Sequence, residues 1–517
     1  DVARYSDGFG GFNDNAAMND AWRYRDWVVE VLNNDLPFKD FIRLQIAGDQ
    51  VEKDGSHIAT GFLALGPTYN SDGGDPDSVS QAKSETLDDR IDTLSRGLLG
   101  ITAACSRCHD HKFDPIPQLD YYSLAGVFNN TGIHLAPLAS PQVVTKYNDH
   151  QKKINDKNKQ LQQLNNSIKK DKKTPTNEQK QQQEQLKKEL ETLRKTLPAK
   201  FATAHALRDI GSANMKVAIR GNLRKTGAEA PRRFLRIVSG ENSALFQNGS
   251  GRLELANAIV DEKNPLTARV YVNRIWQHHF GKAIVRTPSN FGKLGEAPTH
   301  PDLLDWLATT ILENGSLKHL HRLILNSATY RMSARFDARA FEMDGDNRFL
   351  WRMNPRRLDV ESWRDAILSV SGELDSKLGG PPSDDTNMKR RTLYFKVSRA
   401  GDRFRSDELL RMFDFPMMRA TVAKRPVSIV PQQYLFMLNS NFMVDRARML
   451  SKRLALMEKN EEDRITKAYE LLFSRSPTDS EQRLGLEFVT QDQSGKVAHW
   501  EKYCQVLLSS NEFFYVQ

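Results

Sequence analysis

Residues 148–196 read NDHQKKINDKNKQLQQLNNSIKKDKKTPTNEQKQQQEQLKKELETLRKT, and this stretch decides how the rest of the chain is divided. Ile154, Leu161, Leu164 and Ile168 recur at sevens, threes and fours, and Leu186, Leu190, Leu193 and Leu197 repeat in the same way. Each set is the apolar seam of one helix. Between them, residues 169–176 form a polar break, with Pro175 suited to the first turn of the second helix. Two heptad helices joined by so short a break make an antiparallel coiled-coil hairpin. Its excess of Gln, Lys and Asn leaves most of its surface to water, which suits a spacer or a projecting arm. The stretch holds 13 Lys or Arg against 7 Asp or Glu, so it supplies +6 of the chain's net +9. The basicity therefore belongs to one solvated arm and not to a binding face, and no nucleic-acid partner is expected.

Before this arm, residues 1–147 form the first unit. Trp22, Trp27, Val28, Val31, Leu32, Phe38, Phe41 and Leu44 stand at helical spacing there. Residues 70–77 are rich in glycine and acid but lack Ca²⁺-hand spacing, so they read as an ordinary loop. Beyond the arm (148–198), residues 199–250 read as a short β-containing connector, with strands expected at 216–220 and 233–238. From 251 to 517 the pattern is mainly helical, clearest at 265–279, 301–313, 317–330, 359–370 and 431–454, with one strand expected at 391–397. The expected fold is mainly α with small β elements, two helical domains separated by the coiled-coil hairpin. Hydrophobic residues at 39% and charged residues at 27% fit a globular protein. No run of about 18 apolar residues exists, so no membrane span is expected. The chain opens at Asp1 and is expected to be a piece of a longer protein, so the lack of a signal peptide carries no weight.

The chemistry concentrates at Cys105-Ser106-Arg107-Cys108-His109, a C-x-x-C-H pentapeptide. Two thiols at this spacing can add to the two vinyl groups of one porphyrin, and the adjacent imidazole can bind its iron. Three readings stay open on the residues alone. They are a covalent haem c held by Cys105, Cys108 and His109, a disulfide or free dithiol, and a metal turn using Cys105, Cys108, His109 and His111. The last lacks the second C-x-x-C or H-x-x-H pair that structural zinc sites usually supply. A helix over 91–101 runs into the motif, and Pro115 and Pro117 force the chain out of it. Asp110, His111 and Asp114 are either turn-capping groups or, for His111, a group that reaches a neighbouring metal or substrate. The third cysteine, Cys504, lies in an apolar helical pattern and reads as a buried thiol.

A second constellation runs from Asn273 to Asp302. Arg274, His278, His279 and His300 fall within it, and Gly281 is placed to cap a helix. Adjacent His278 and His279 point about 100° apart on a helix, so they cannot bind one metal as an i, i+4 pair would. One of these histidines, or a methionine, is the candidate distal ligand; Arg274 is a candidate catalytic group. The dense charges of 354–365 read as ion pairs and caps.

These strings resemble a known family. Residues 1–5, 59–62 and 105–116 resemble domain of unknown function 1549, N-terminally truncated. Residues 272–281, 299–301, 327–331, 354–358, 438–440 and 510–516 resemble domain of unknown function 1553, also called the planctomycete secreted domain. The two are linked in planctomycete cytochrome C domain proteins. The resemblance implies a periplasmic or secreted protein, preceded in its relatives by a separate cytochrome domain with its own C-x-x-C-H. It also implies gene neighbours that degrade polysaccharides, and hence a carbohydrate-derived substrate. The expected function is electron transfer or a part in a haem-dependent oxidoreductase, with that cytochrome domain or another electron carrier as partner. The competing expectation is a non-redox scaffold or carbohydrate-binding protein with a Cys105–Cys108 disulfide or metal turn. A metal-dependent hydrolase has no H-E-x-x-H, G-x-S-x-G or paired-carboxylate signature to support it.

Overall fold

The computed structural model describes residues 1–8, 17–51, 55–70, 73–170, 176–241, 243–491 and 498–516. Ser71, Asp72 and Pro175, to which the loop and helix-start readings applied, lie outside the described residues. The described chain is mainly α-helical, and its strands pair only as two-stranded sheets. It divides into two units, one of residues 134–204 and one of residues 1–133 with 205–517.

The smaller unit is the helical hairpin. Helices Pro141–Lys170 and Asn177–Lys195 pack along the heptad seam, with Ile154, Leu186 and Leu190 buried. Thr176 opens the second helix through a reciprocal capping box with Gln179. Polar links flank the seam, among them Lys157 to Glu189 at 2.7 Å and the His150 ring to the Leu193 carbonyl at 2.7 Å.

In the larger unit the hydrophobic residues form two clusters. The first gathers residues from Met18 to Met353, and the second gathers residues from Val360 to Phe514. Helix Trp22–Asn33 packs its aromatic face through Trp27 stacked on Phe41 of helix Phe38–Ala47. Arg252, with no exposed side-chain surface, is forked between Asp49 and Asp209 at 2.7 and 2.6 Å, so its buried charge is fully paired. The second cluster centres on fully buried Trp363, packed against Phe413 and Phe514. Burying one such side chain stabilises by about 1.5–3 kcal/mol. Tyr515 and Val516 then pair with Arg357 and Arg356, which ties the chain's end to this core. Cys504 is fully buried as expected, and burial pushes its thiol up.

Most expected helices form, with their caps. Helix Thr267–Phe280 ends at Gly281, whose φ of 72° is left-handed, and Asp359 caps helix Val360–Val370 through Ser362 N–H. Four expectations need correction. Residues 391–397 form a 3₁₀ turn at Thr392–Tyr394 and a single bridge from Phe395 to Ser383, because among the described residues no strand lies alongside. At 233–238 the strand gives way to helix Arg236–Ser239, since Asp120 accepts both the Arg236 backbone N–H and its Nε–H. The helix expected over 431–454 is two helices, Pro431–Asn439 and Asn441–Met457, with extended Ser440 capping the second through Met443 N–H. The helix expected over 317–330 stops at Asn326.

Candidate functional site

Helix Pro76–Leu94 continues through a wide turn, Ser95–Leu99, and stops at Gly100, which has a φ of +62°. Any Cβ on Gly100 would lie 2.8 Å from both Phe291 and Val270, so glycine is required on two counts. The next turn is Ala103–Arg107, a 3₁₀ segment that carries Cys105 and leads to Cys108. Both thiols are free and exposed. Their backbone is fixed from below. Ser106, fully buried, donates to the Ile116 carbonyl at 2.9 Å, while the Arg107 carbonyl accepts from Gln118 Nε2 and Tyr122 OH. A Cβ on Gly221 would meet Cys108 Sγ at 2.6 Å, so that glycine lets the thiol fit.

The two histidines of the motif region take different parts. His109 is exposed, and its Nδ1 lies 2.6 Å from the Asp110 carbonyl. A carbonyl accepts only, so the proton belongs on Nδ1 and the Nε2 lone pair is left without a partner among the described residues. His111 is turned to structural use. Its Nδ1 accepts the Asp114 N–H at 2.8 Å, and its Nε2 lies 3.1 Å from Thr102 Oγ1. Both nitrogens are engaged, so His111 is removed from the four-ligand metal reading, and among the described residues no three metal-ligating side chains gather. Asp110 Oδ1 accepts the Gln118 N–H, opening helix Gln118–Asn129. The capping reading of Asp110, His111 and Asp114 thus accounts for every polar contact they make with the turn.

A loop from the second constellation buttresses the turn. Phe291 N–H donates to the Gly100 carbonyl at 2.7 Å, and Lys293 N–H donates to Asp114 Oδ1 at 2.7 Å. Arg274, on helix Thr267–Phe280, donates through Nη2 to the Arg96 carbonyl and to Ser289 Oγ, each at 3.0 Å. The structure therefore brings Arg274 and the 289–293 loop to the motif's supporting elements.

The histidines of the second constellation have other contacts. His279 Nε2 lies 2.8 Å from His321 Nδ1, and burial, with His321 and Arg356 adding, pulls His279 down to about 4. His300 Nδ1 lies 3.0 Å from Thr299 Oγ1, and its ring meets Phe349. His278 is exposed near the end of its helix.

Fit to a covalently held haem can be judged on the donors themselves. Two exposed thiols stand on one fixed turn, and the neighbouring imidazole has Nδ1 anchored by a carbonyl and Nε2 open. An anchored Nδ1–H is the usual support for an Nε2 metal ligand. These residues fit the group.

Comparison with known proteins adds the family. Residues 1–132 match PSCyt2, a protein of unknown function (DUF1549), and residues 251–489 match PSD1, a protein of unknown function (DUF1553). The chain joins a PSCyt2 domain to a PSD1 domain. No curated protein and no solved structure matches it. The C-x-x-C-H turn lies within the PSCyt2 match, and Arg274, His278, His279 and His300 lie within the PSD1 match. No helix of the described residues is long and apolar enough to cross a membrane.

The sequence pattern did not disclose a cavity of about 430 Å³ in the larger unit. Segments 1–5, 24–45, 97–98, 271–274 and 361–425 all contribute to it, mostly with apolar side chains. Arg274 is the one predicted site residue on its wall. Glu361 and Arg425 line it too, although the 354–365 charges read as purely structural. Arg425 is forked between Asp1 and Glu361 at 2.7–2.9 Å.

Proposed function

We propose that this PSCyt2–PSD1 chain is an exported c-type haem protein that carries electrons, as part of an oxidoreductase. Cys105 and Cys108 would hold the porphyrin through thioether bonds and His109 Nε2 would bind its iron. One observation carries the reading: His109 Nδ1 is tied to the Asp110 carbonyl, which leaves Nε2 open beside two exposed thiols. The bound haem supplies one-electron chemistry. The chain's own contribution is positional. Ser106, Gln118 and Tyr122 fix the backbone that carries the thiols, and the Asp110 carbonyl keeps the imidazole proton on Nδ1. Of the distal candidates, His279 and His300 already have hydrogen-bond partners, so a second ligand from this chain would come from His278 or a methionine. The partner is an electron carrier, of which the N-terminal cytochrome domain of the relatives is one form. The substrate class that the family resemblance implies is carbohydrate-derived.

The test is a pyridine haemochrome spectrum on protein exported from a host that matures c-type cytochromes, beside a Cys105→Ala, Cys108→Ala variant. A c-type spectrum near about one haem per chain, lost in the variant, is expected. Absence of covalent haem in a host shown to mature other cytochromes would overturn the reading and bring forward a disulfide turn in a non-redox scaffold.

A further inference from the structure

The cavity of the larger unit has the size of a small-molecule site, within the range of about 300–1,000 Å³ typical of ligand pockets. Its walls are mainly apolar and include Val28, Phe41, Phe62, Leu98 and Phe415. None of Cys105, Cys108 and His109 lines it, so it is separate from the site proposed for haem.

One wall group has no apolar or paired explanation. Arg274 Nη2 is satisfied by the Arg96 carbonyl and Ser289, both neutral. Its Nε is buried without a hydrogen-bond partner, and among the described residues its hydrogen bonds all come from Nη2, none from Nη1. Among the described residues no carboxylate pairs with it. The other cavity-lining arginines differ, since Arg425 is forked between Asp1 and Glu361 and Arg25 is held by Asp26. Burial pulls Arg274 down to about 10, so it remains a cation at neutral pH. A guanidinium partly withdrawn from water, with its Nε buried and no counter-ion, carries a cost that an anion supplied from outside removes. Arg25 and Arg425 each have a carboxylate in contact, so of the three arginines on the wall Arg274 is the one that lacks such a partner among the described residues.

We infer that the cavity binds an amphiphilic small molecule, an extended apolar body ending in one anionic head group, with Arg274 holding the head group. The three open N–H groups on Nε and Nη1 donate to the anion, and the apolar walls take up the body. Shape and charge select the ligand together. An uncharged molecule of the same length gains only the walls, and a short anion gains only the arginine.

The test is calorimetric titration of the full chain with sodium decanoate and, separately, with 1-decanol. Decanoate is expected to bind the natural chain at one site. Arg274→Gln should weaken decanoate by about ten-fold or more and leave decanol nearly unchanged, since only a charge-assisted contact is lost. Val28→Trp fills the cavity and should remove both ligands. Should that variant not fold, Leu393→Trp, at a position 47% exposed, blocks the cavity from its rim. The same result is expected with the Cys105→Ala, Cys108→Ala chain, which separates this outcome from the fate of the haem reading. No decanoate binding up to about 1 mM overturns the inference. So does equal binding by Arg274→Gln, or binding that survives both cavity-blocking variants.

Discussion

In the turn between Thr102 and Gln118, nearly every polar side chain is committed to the chain around it. Ser106 holds Ile116, Asp110 holds Gln118, His111 holds Asp114 and Thr102, and Asp114 holds Lys293. Apart from Lys112, whose ammonium lies over the Phe113 ring, what remains outward is two thiols and one imidazole nitrogen. The wall of the cavity is arranged in the opposite way. There the surroundings are mainly apolar, and the group with an unpaired N–H is the partly buried cation of Arg274. The first arrangement presents reactive atoms on a rigid, exposed frame. The second leaves an unmet demand for charge on the cavity wall. Covalent attachment suits the first, because exposed thiols can react with a group brought to them. Reversible binding suits the second, because the demand is met and released with the ligand.

The largest effect that would break this contrast is expected from His111→Ala. The side chain is only 6% exposed, and its loss leaves the Asp114 N–H without an acceptor. A buried unsatisfied donor together with the vacated ring volume should cost about 2–4 kcal/mol, read as a fall in the denaturant midpoint. If the imidazole were a ligand or a catalytic group and not a frame element, stability would change little and activity would fall instead. His111→Asn, which keeps a short acceptor, should recover part of the loss.

Gly292→Ala ranks next. A Cβ there would lie 2.4 and 2.6 Å from the two carboxylate oxygens of Asp114. The carboxylate cannot swing aside without giving up the Lys293 N–H. The strain should cost about 1–3 kcal/mol in the same denaturant assay. Unchanged stability would mean that the 289–293 loop does not buttress the turn.

The turn was legible in the sequence because its chemistry is local, five consecutive residues followed by two prolines. The helical hairpin was legible because Ile154, Leu186 and Leu190 keep a heptad register that only a paired helix can bury. Residues 391–397 misled because Tyr394, Phe395 and Val397 are apolar and close together, yet they are buried by tertiary packing and not by a neighbouring strand. At 233–238 the deciding group was Asp120, more than a hundred residues away. The break at Ser440 was hidden because apolar residues continue on both sides of it, while one side-chain cap decides the geometry. The cavity is the extreme case. Its wall draws on segments from Asp1 to Arg425, and the isolation of Arg274 is a property of what does not come near it. No spacing within a single segment carries that information.

The smallest effect, and the one that sharpens the contrast most, is expected from Ser289→Ala. Ser289 belongs to the loop that also supports the cysteine turn, and its Oγ accepts from Arg274 Nη2. Removing it costs one hydrogen bond, about 0.5–1.5 kcal/mol of stability. Nη2 keeps the Arg96 carbonyl at 3.0 Å, which comes from the end of a helix and not from the loop. Decanoate affinity should therefore stay within about three-fold of the natural chain. If that carbonyl alone orients the guanidinium, Ser289→Ala and Arg274→Gln separate cleanly in the titration. If Ser289→Ala loses decanoate as fully as Arg274→Gln does, the arginine is aimed by the loop that also braces the turn. The two regions would then be one coupled device, in which filling the cavity and strengthening the frame under Cys105 and Cys108 are the same event.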